Sequence, residues 1–194
     1  MGWRLATGIL GTASVLLVYL IARLLSGSVV VATVAGGLLA IDGLSIVLSR
    51  IALLDGILTF FVLLGVLFVL LDRRRTLPLL ERSDPEHPAP LWGRVLWRRP
   101  WVLAAGVALG AACAVKWSGL YALAGFGLYL VVTDALARRR AGVVLWPTDA
   151  VLRQGPVSFL LLVGPAAAVY LASWTGWLVT AGGYDRQSDP NPLI

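Results

Sequence analysis

Four charged residues interrupt otherwise apolar stretches of this chain: Asp42, Arg50, Asp55 and Lys116. A charge at the centre of a membrane helix costs roughly 2.5 to 3.5 kcal/mol on insertion scales, so such residues are ordinarily paired or functional. Arginine presents a planar fork that donates two parallel hydrogen bonds to one phosphate. Lys116, the only lysine, adds a compact charge beside Trp117. Arg50 and Asp55 stand five positions apart across an expected turn, which suits an ion pair. In one reading the four charges pair with each other and merely hold helices together. In the other, Arg50 and Lys116 form a basic pocket at the bilayer surface, supported by Asp55, Asp42 and Trp117. Such a pocket, open sideways to lipid, would grip a phosphate while the attached hydrocarbon tail stays in the membrane.

The elements that must position these residues are apolar. Of the 194 residues 59% are hydrophobic and 13% charged, with a mean hydropathy of +0.86. A soluble domain carries roughly 25% charged residues. The apolar residues come in unbroken runs of about 20, the length that crosses a bilayer core as a helix. A transmembrane β-barrel would show short alternating segments instead. The expected fold is therefore all-α, a polytopic transmembrane bundle of about six spans within one domain. The spans are read at roughly Trp3 to Ala22, Val29 to Val47, Ile51 to Leu71, Trp101 to Trp117, Ser118 to Leu136, and Val157 to Leu178. Two pairs are run together, turning near Ser49-Arg50 and near Lys116 to Gly119. Arg50, Asp55 and Lys116 then gather at one end of the bundle, with Asp42 about two turns deeper.

The formal charge of +6 and the pI of 10.2 need no nucleic acid partner. Arg23, Arg73, Arg74, Arg75, Arg82, Arg94, Arg98, Arg99, Arg138, Arg139, Arg140 and Arg153 all fall in loops on one face of this topology. Only Arg4, Arg50, Lys116 and Arg186 fall on the other. The positive-inside rule makes the first face cytoplasmic and puts both chain ends outside, as expected of a multi-pass plasma-membrane protein. An outer N-terminus implies at least one earlier span, and Met1 to Ala22 reads as a span rather than a signal peptide because no small-residue cleavage site follows. Residues 72–100, with Pro78, Pro85, Pro88 and Pro90, read as a cytoplasmic linker. Its end, Leu91 to Arg99, mixes tryptophan with arginine as headgroup-level segments do. His87 within it reads as solvated. Gly106 and Gly110 have the spacing of close helix contact. Cys113 is the only cysteine, so no intrachain disulfide is possible. No His/Cys cluster suggests a metal, and no cofactor is expected.

The stretch Leu38-Leu39-Ala40-Ile41-Asp42-Gly43-Leu44-Ser45-Ile46-Val47-Leu48-Ser49-Arg50-Ile51-Ala52-Leu53-Leu54-Asp55 resembles the protein O-mannosyltransferase family, especially its actinobacterial members. So do Ala114-Val115-Lys116-Trp117-Ser118-Gly119-Leu120-Tyr121 and Ser173-Trp174-Thr175-Gly176-Trp177, followed by Gly183-Tyr184-Asp185-Arg186. The motifs come in family order, and the resemblance covers nearly the whole chain.

The resemblance implies part of a membrane glycosyltransferase (GT-C-like) fold that transfers mannose, with inversion, from polyprenyl-phosphate mannose to Ser or Thr of proteins crossing the membrane. The partners implied are that lipid-linked donor, an acceptor polypeptide and membrane lipid. Arg50 and Lys116 would stand near the donor phosphate, with Asp55 orienting Arg50. Family members also carry an Asp-Glu pair on an outer loop after an earlier span, and further spans beyond Gly-Tyr-Asp-Arg. That pair has no match here, so no catalytic base is assigned and the chain is expected to be an incomplete part, inactive alone. The competing readings are a non-catalytic membrane subunit or remnant, and a helical transporter whose buried charges line a path. Paired broken helices in two related halves would mark a transporter, and no such symmetry is evident.

Overall fold

The computed structural model describes residues 2–51, 53–81 and 90–180, with side chains from Leu5 onward. His87, Arg82, Asp185, Arg186 and the Gly183-Tyr184-Asp185-Arg186 motif lie outside the described residues. Every regular element among the described residues is helical. In hydrocarbon the backbone can satisfy its polar groups only internally, and a helix does so within one segment.

Helix α1 (Gly2–Ser26) ends at Gly27, whose φ of +70° is the left-handed cap that glycine adopts without strain. Ser28 then caps α2 (Val29–Ile41). At Asp42 the chain leaves the helix, and α3 (Gly43–Ile51) departs at 54°. Helix α4 (Leu54–Leu80) starts with Asp55 in its first turn, where a negative charge meets the positive end of the helix dipole. Pro100 opens α5 (Pro100–Val115), and Lys116 closes it in extended conformation. Helix α6 (Gly119–Arg140) carries three arginines in its last turn. A single turn, α7 (Trp146–Thr148), and a π-helical stretch over Asp149–Gln154 lead into α8 (Gly155–Ser173) and the short α9 (Thr175–Val179).

Four helical segments are long and apolar enough to cross a membrane: Leu5–Ser26, Leu54–Leu80, Gly119–Arg140 and Trp146–Ser173. The bent pair α2 and α3 makes a fifth if it counts as one span. The fourth expected span, Trp101 to Trp117, is α5, which has 16 residues and falls short of that length. It is nevertheless the most enclosed helix, with Val102, Ala105, Leu109 and Ala112 fully buried. The expected span Val29 to Val47 is broken at Asp42, because the Asp42 carboxylate accepts from the Ser45 N–H (2.8 Å) and starts a new helix. The turn expected near Ser49-Arg50 falls two to three residues later, between Ile51 and Leu54. The turn at Lys116 to Gly119 stands where the apolar pattern put it, with the Gly119 N–H on the Lys116 carbonyl at 2.9 Å. Helix α4 runs on past Asp72 to Leu80, through the first part of the segment read as a linker.

Helix α5 packs along α4 on one side and α8 on the other. A Cβ at Gly65 would overlap Leu109, and Cβ atoms at Gly106 and Gly110 would overlap the backbone of Leu162 and Ala166. Gly106 and Gly110 thus admit α8 to backbone contact, as small residues do between membrane helices. The core is Val69, Val102, Ala105, Leu109, Leu123, Leu130, Leu162 and Ala166, with Phe68 stacked on Trp101 at 5.7 Å.

At the end of the bundle where α4 and α6 finish and α5 begins, six charged side chains are buried. Arg99 donates to Asp72 (Nη2 to Oδ2, 2.5 Å), to Asp134 (Nη1 to Oδ2, 2.6 Å) and to the Ser158 hydroxyl (3.2 Å). Arg73 donates to the other Asp134 oxygen at 2.8 Å. Arg138 donates to Asp149 (2.6 Å), to Gln154 (3.1 Å) and to the Arg94 carbonyl (3.0 Å). Gln154 in turn holds the backbone of Leu96, its amide oxygen accepting from the Leu96 N–H and its amide nitrogen donating to the Leu96 carbonyl. Three arginines thus meet three aspartates, and none of the six is more than 6% exposed. Burial works against the Arg99 charge, but the Asp72 hydrogen bond and the Asp134 and Asp72 carboxylates outweigh it and hold its pKa above the usual guanidinium value.

One regularity ties α4 to α5. Asp72 pairs with Arg99, and 17 residues away on each helix Asp55 pairs with Lys116. Antiparallel helices so spaced carry an ionic rung at both ends, roughly 26 Å apart at 1.5 Å per residue.

Candidate functional site

The Asp55–Lys116 rung lies where α4 starts, α5 ends and α6 starts. Lys116 Nζ donates to Asp55 Oδ1 at 2.8 Å, and both side chains are half exposed. The expected partner of Asp55 was Arg50; the structure joins Asp55 to Lys116 instead. Helix geometry explains the choice. Arg50 sits in the last turn of α3, ahead of the turn into α4, whereas the hairpin of α5 and α6 brings Lys116 over the first turn of α4. Lys116 also sits at the negative end of α5, which favours its charge.

Arg50 is exposed, and its side chain makes no hydrogen bond or ion pair among the described residues. It lines a hollow of about 340 Å³ between α1 and α3 with Gly8, Gly11, Thr12, Ser45 and Ser49. A Cβ at Gly11 would meet the Ser49 hydroxyl in its present rotamer. Asp42 lines an adjoining hollow of about 220 Å³, which shares Gly11, Ser45 and Ser49 with the first and reaches Gly56 beside Asp55. The two hollows bring Arg50 and Asp42 to one surface, lined by hydroxyls.

Trp117 is 74% exposed and borders an apolar hollow of about 230 Å³ with Cys113, Leu120, Leu123 and Tyr170. Leu120, Leu123 and Val163 also line a larger apolar cleft of about 630 Å³ between α6, the π-helical stretch and α8. A continuous apolar groove therefore leads from Trp117 along α6 and α8 towards Gly155. Trp174 packs on Tyr170 (centroids 6.2 Å apart) and on Trp177 (6.1 Å). The three sequence motifs are thereby linked in space: Asp55 to Lys116 by an ion pair, Trp117 to Tyr170 across one hollow, Tyr170 to Trp174 by ring contact.

Sequence reasoning passed over two features here. Ser118, the residue before α6, has a buried hydroxyl with no hydrogen-bond partner among the described residues. Tyr170 was an unremarked residue of an apolar run. Its spacing of four from Trp174 was the available signal, since such pairs share a helix face. Chemically, the site offers a cation held by a half-exposed carboxylate, the positive N-terminus of α6 and an apolar groove, and in the separate α1–α3 hollow Arg50, which has no partner among the described residues. That set suits an amphiphile with an anionic head. No group of three or more His, Cys, Asp or Glu side chains that could hold a metal occurs among the described residues.

A family model described as dolichyl-phosphate-mannose-protein mannosyltransferase matches residues 1–173. A Mycobacterium tuberculosis protein named polyprenol-phosphate-mannose–protein mannosyltransferase is 40% identical over 190 residues, 96% of this chain and 36% of that protein. Proteins of the same name from Mycolicibacterium smegmatis and Corynebacterium glutamicum are 38% and 35% identical, over 96% and 100% of this chain. The chain spans 36% to 38% of the length of these curated relatives. No solved structure matches it significantly.

Proposed function

The chain belongs to the dolichyl-phosphate-mannose-protein mannosyltransferase family, and from that premise we propose that it forms the donor-receiving part of a membrane mannosyltransferase. The observation that carries the reading is the meeting of the family-like motifs around Asp55, Lys116, Trp117 and Tyr170. The donor is a polyprenyl-phosphate mannose. Its isoprenoid chain lies in the apolar groove of α6 and α8, and its phosphate reaches Lys116 and the N-terminus of α6.

The reaction breaks the bond between the mannose anomeric carbon and the donor phosphate oxygen. A serine or threonine hydroxyl of the acceptor polypeptide forms the new bond and gives up its proton. Negative charge grows on the departing polyprenyl phosphate, and Arg50 and Lys116 are the groups assigned to stabilise it. Asp55 is already bound to Lys116, so its role is to hold that ammonium in place. Asp42, which caps α3, fixes the bend that presents Arg50. No acid of this chain is assigned to take the acceptor proton. The Asp55–Lys116 end faces outward from the plasma membrane and the arginine-rich end faces the cytoplasm. Family membership favours this reading over a transporter or a non-catalytic subunit.

The test uses a full-length relative, with alanine placed at the positions matched to Arg50 and Lys116. Removing a charge-assisted contact to phosphate is expected to cost about 2 to 5 kcal/mol, a loss of transfer of about thirtyfold or more for each. Membrane insertion, read by protease protection, should be unchanged. Normal transfer, or loss of insertion along with transfer, overturns the assignment.

A further inference from the structure

We propose that the arginine–tryptophan face built from residues 91–98 and 139–153 is a binding surface for anionic phospholipid headgroups. The proposal stands apart from the mannosyltransferase reading and concerns the opposite end of the bundle.

The face is built, not incidental. The Val144 N–H donates to the Pro90 carbonyl (3.1 Å) and the Leu145 N–H to the Leu91 carbonyl (3.2 Å), joining the two segments edge to edge. Gln154 holds Leu96 from beneath. Two exposed arginines lie over tryptophan rings at cation–π distance: Arg153 at 5.3 Å from the Trp92 ring centre, and Arg139 at 5.6 Å from that of Trp146. A guanidinium held beside a ring in this way stays at the surface with N–H groups free to meet phosphate oxygens.

Charge and apolar surface then select the partner. The buried arginines and aspartates beneath cancel each other. Arg74, Arg75, Arg94, Arg98, Arg139, Arg140 and Arg153 remain exposed at this end; Arg153 also donates to the buried Asp149 (3.1 Å), and Arg140 pairs with Glu81, the exposed acid described there. A polar anion alone would need no apolar neighbours, yet Leu91, Trp97 and Leu152 are each at least 60% exposed among these arginines. Tryptophan and leucine lie at the boundary of headgroups and acyl chains, and arginine reaches the phosphates there. An acidic glycerophospholipid offers both surfaces at once.

The experiment presents the purified chain with equal amounts of phosphatidylglycerol and phosphatidylcholine in mixed micelles and weighs the retained lipid by native mass spectrometry. Phosphatidylglycerol should be retained at least tenfold over phosphatidylcholine, and raising the salt from 50 to 500 mM should erase most of that preference. The double variant R98Q/R139Q, which leaves the Arg153–Asp149 contact in place, should weaken phosphatidylglycerol retention about fivefold for each arginine removed. Its far-UV circular dichroism should match the parent. Equal retention of the two lipids, a preference indifferent to salt, or an unchanged preference in the folded double variant would each overturn the proposal. Should the variant unfold, the lipid preference and salt response of the parent chain decide alone.

Discussion

Replacing Arg99 with methionine tests the buried ionic cluster most directly. Arg99 is the shared cation between Asp72 and Asp134, and both carboxylates are about 1% exposed. Methionine removes that cation with modest change of bulk. Arg73 then serves Asp134 alone, and Asp72 loses the Arg99 guanidinium that holds it at 2.5 Å. Breaking a buried pair on one side costs about 3 to 5 kcal/mol, because an uncompensated charge stays behind. For a chain of this size each kcal/mol shifts the thermal midpoint by about 2 to 4 °C. The variant should therefore lose about 6 to 20 °C in detergent, scanned at fixed rate because membrane proteins rarely unfold reversibly. The double variant R99M/D72N removes the orphaned charge as well, and should regain at least half of that loss through coupling of contacting residues. A midpoint within 1 °C of the parent for R99M, or a double variant as unstable as the sum of its single changes, refutes the view that charge balance holds this end together.

Two further outcomes follow from the packing and the rung. Asp55→Asn should move the midpoint by less than about 3 °C, since a half-exposed pair is worth about 0 to 1 kcal/mol; at the matched position of a full-length relative it should lower kcat/KM for the donor several-fold, with kcat falling too. Gly110→Leu forces a side chain into the Ala166 backbone of α8 and should cost about 1 to 3 kcal/mol or more, read as a lower midpoint and lower yield in detergent.

The long apolar elements were legible in the sequence because the bilayer imposes a length and a composition that few other folds share. Lys116, Trp117 and the turn after them were legible too, since a polar break between two apolar runs marks a hairpin. The partner of Asp55 was not. Five residues along the chain made Arg50 the nearer candidate, but proximity in space is set by the α5–α6 hairpin, 61 residues away. The buried cluster was missed for a related reason. Arginines at span ends read as loop residues under the positive-inside rule, and Arg73, Arg99 and Arg138 were placed there with the rest. Their partners stand 61, 27 and 11 residues off. The hint lay in Asp72, Asp134 and Asp149, one acid at each end of an apolar run, where an arginine-rich surface loop would have no need of them. The break at Asp42 was equally open in principle, because an aspartate followed three residues later by a free N–H is a helix start.

The two rungs between α4 and α5 make the pair a gauge of bilayer thickness. Their separation of roughly 26 Å is fixed by helical rise and cannot stretch, while a typical hydrocarbon core measures about 30 Å. Tilting offers no remedy: it shortens the projection of the gap on the membrane normal and draws the charges further into oil. The mismatch is met by lipid thinning around the pair or by side chains reaching outward, each at a cost of fractions of a kcal/mol per Å. A thin membrane therefore holds both ion pairs at its two surfaces without strain. Each added Å of acyl chain works against the Asp55–Lys116 rung first, because Asp55 and Lys116 are half exposed where Asp72 and Arg99 are sealed in protein.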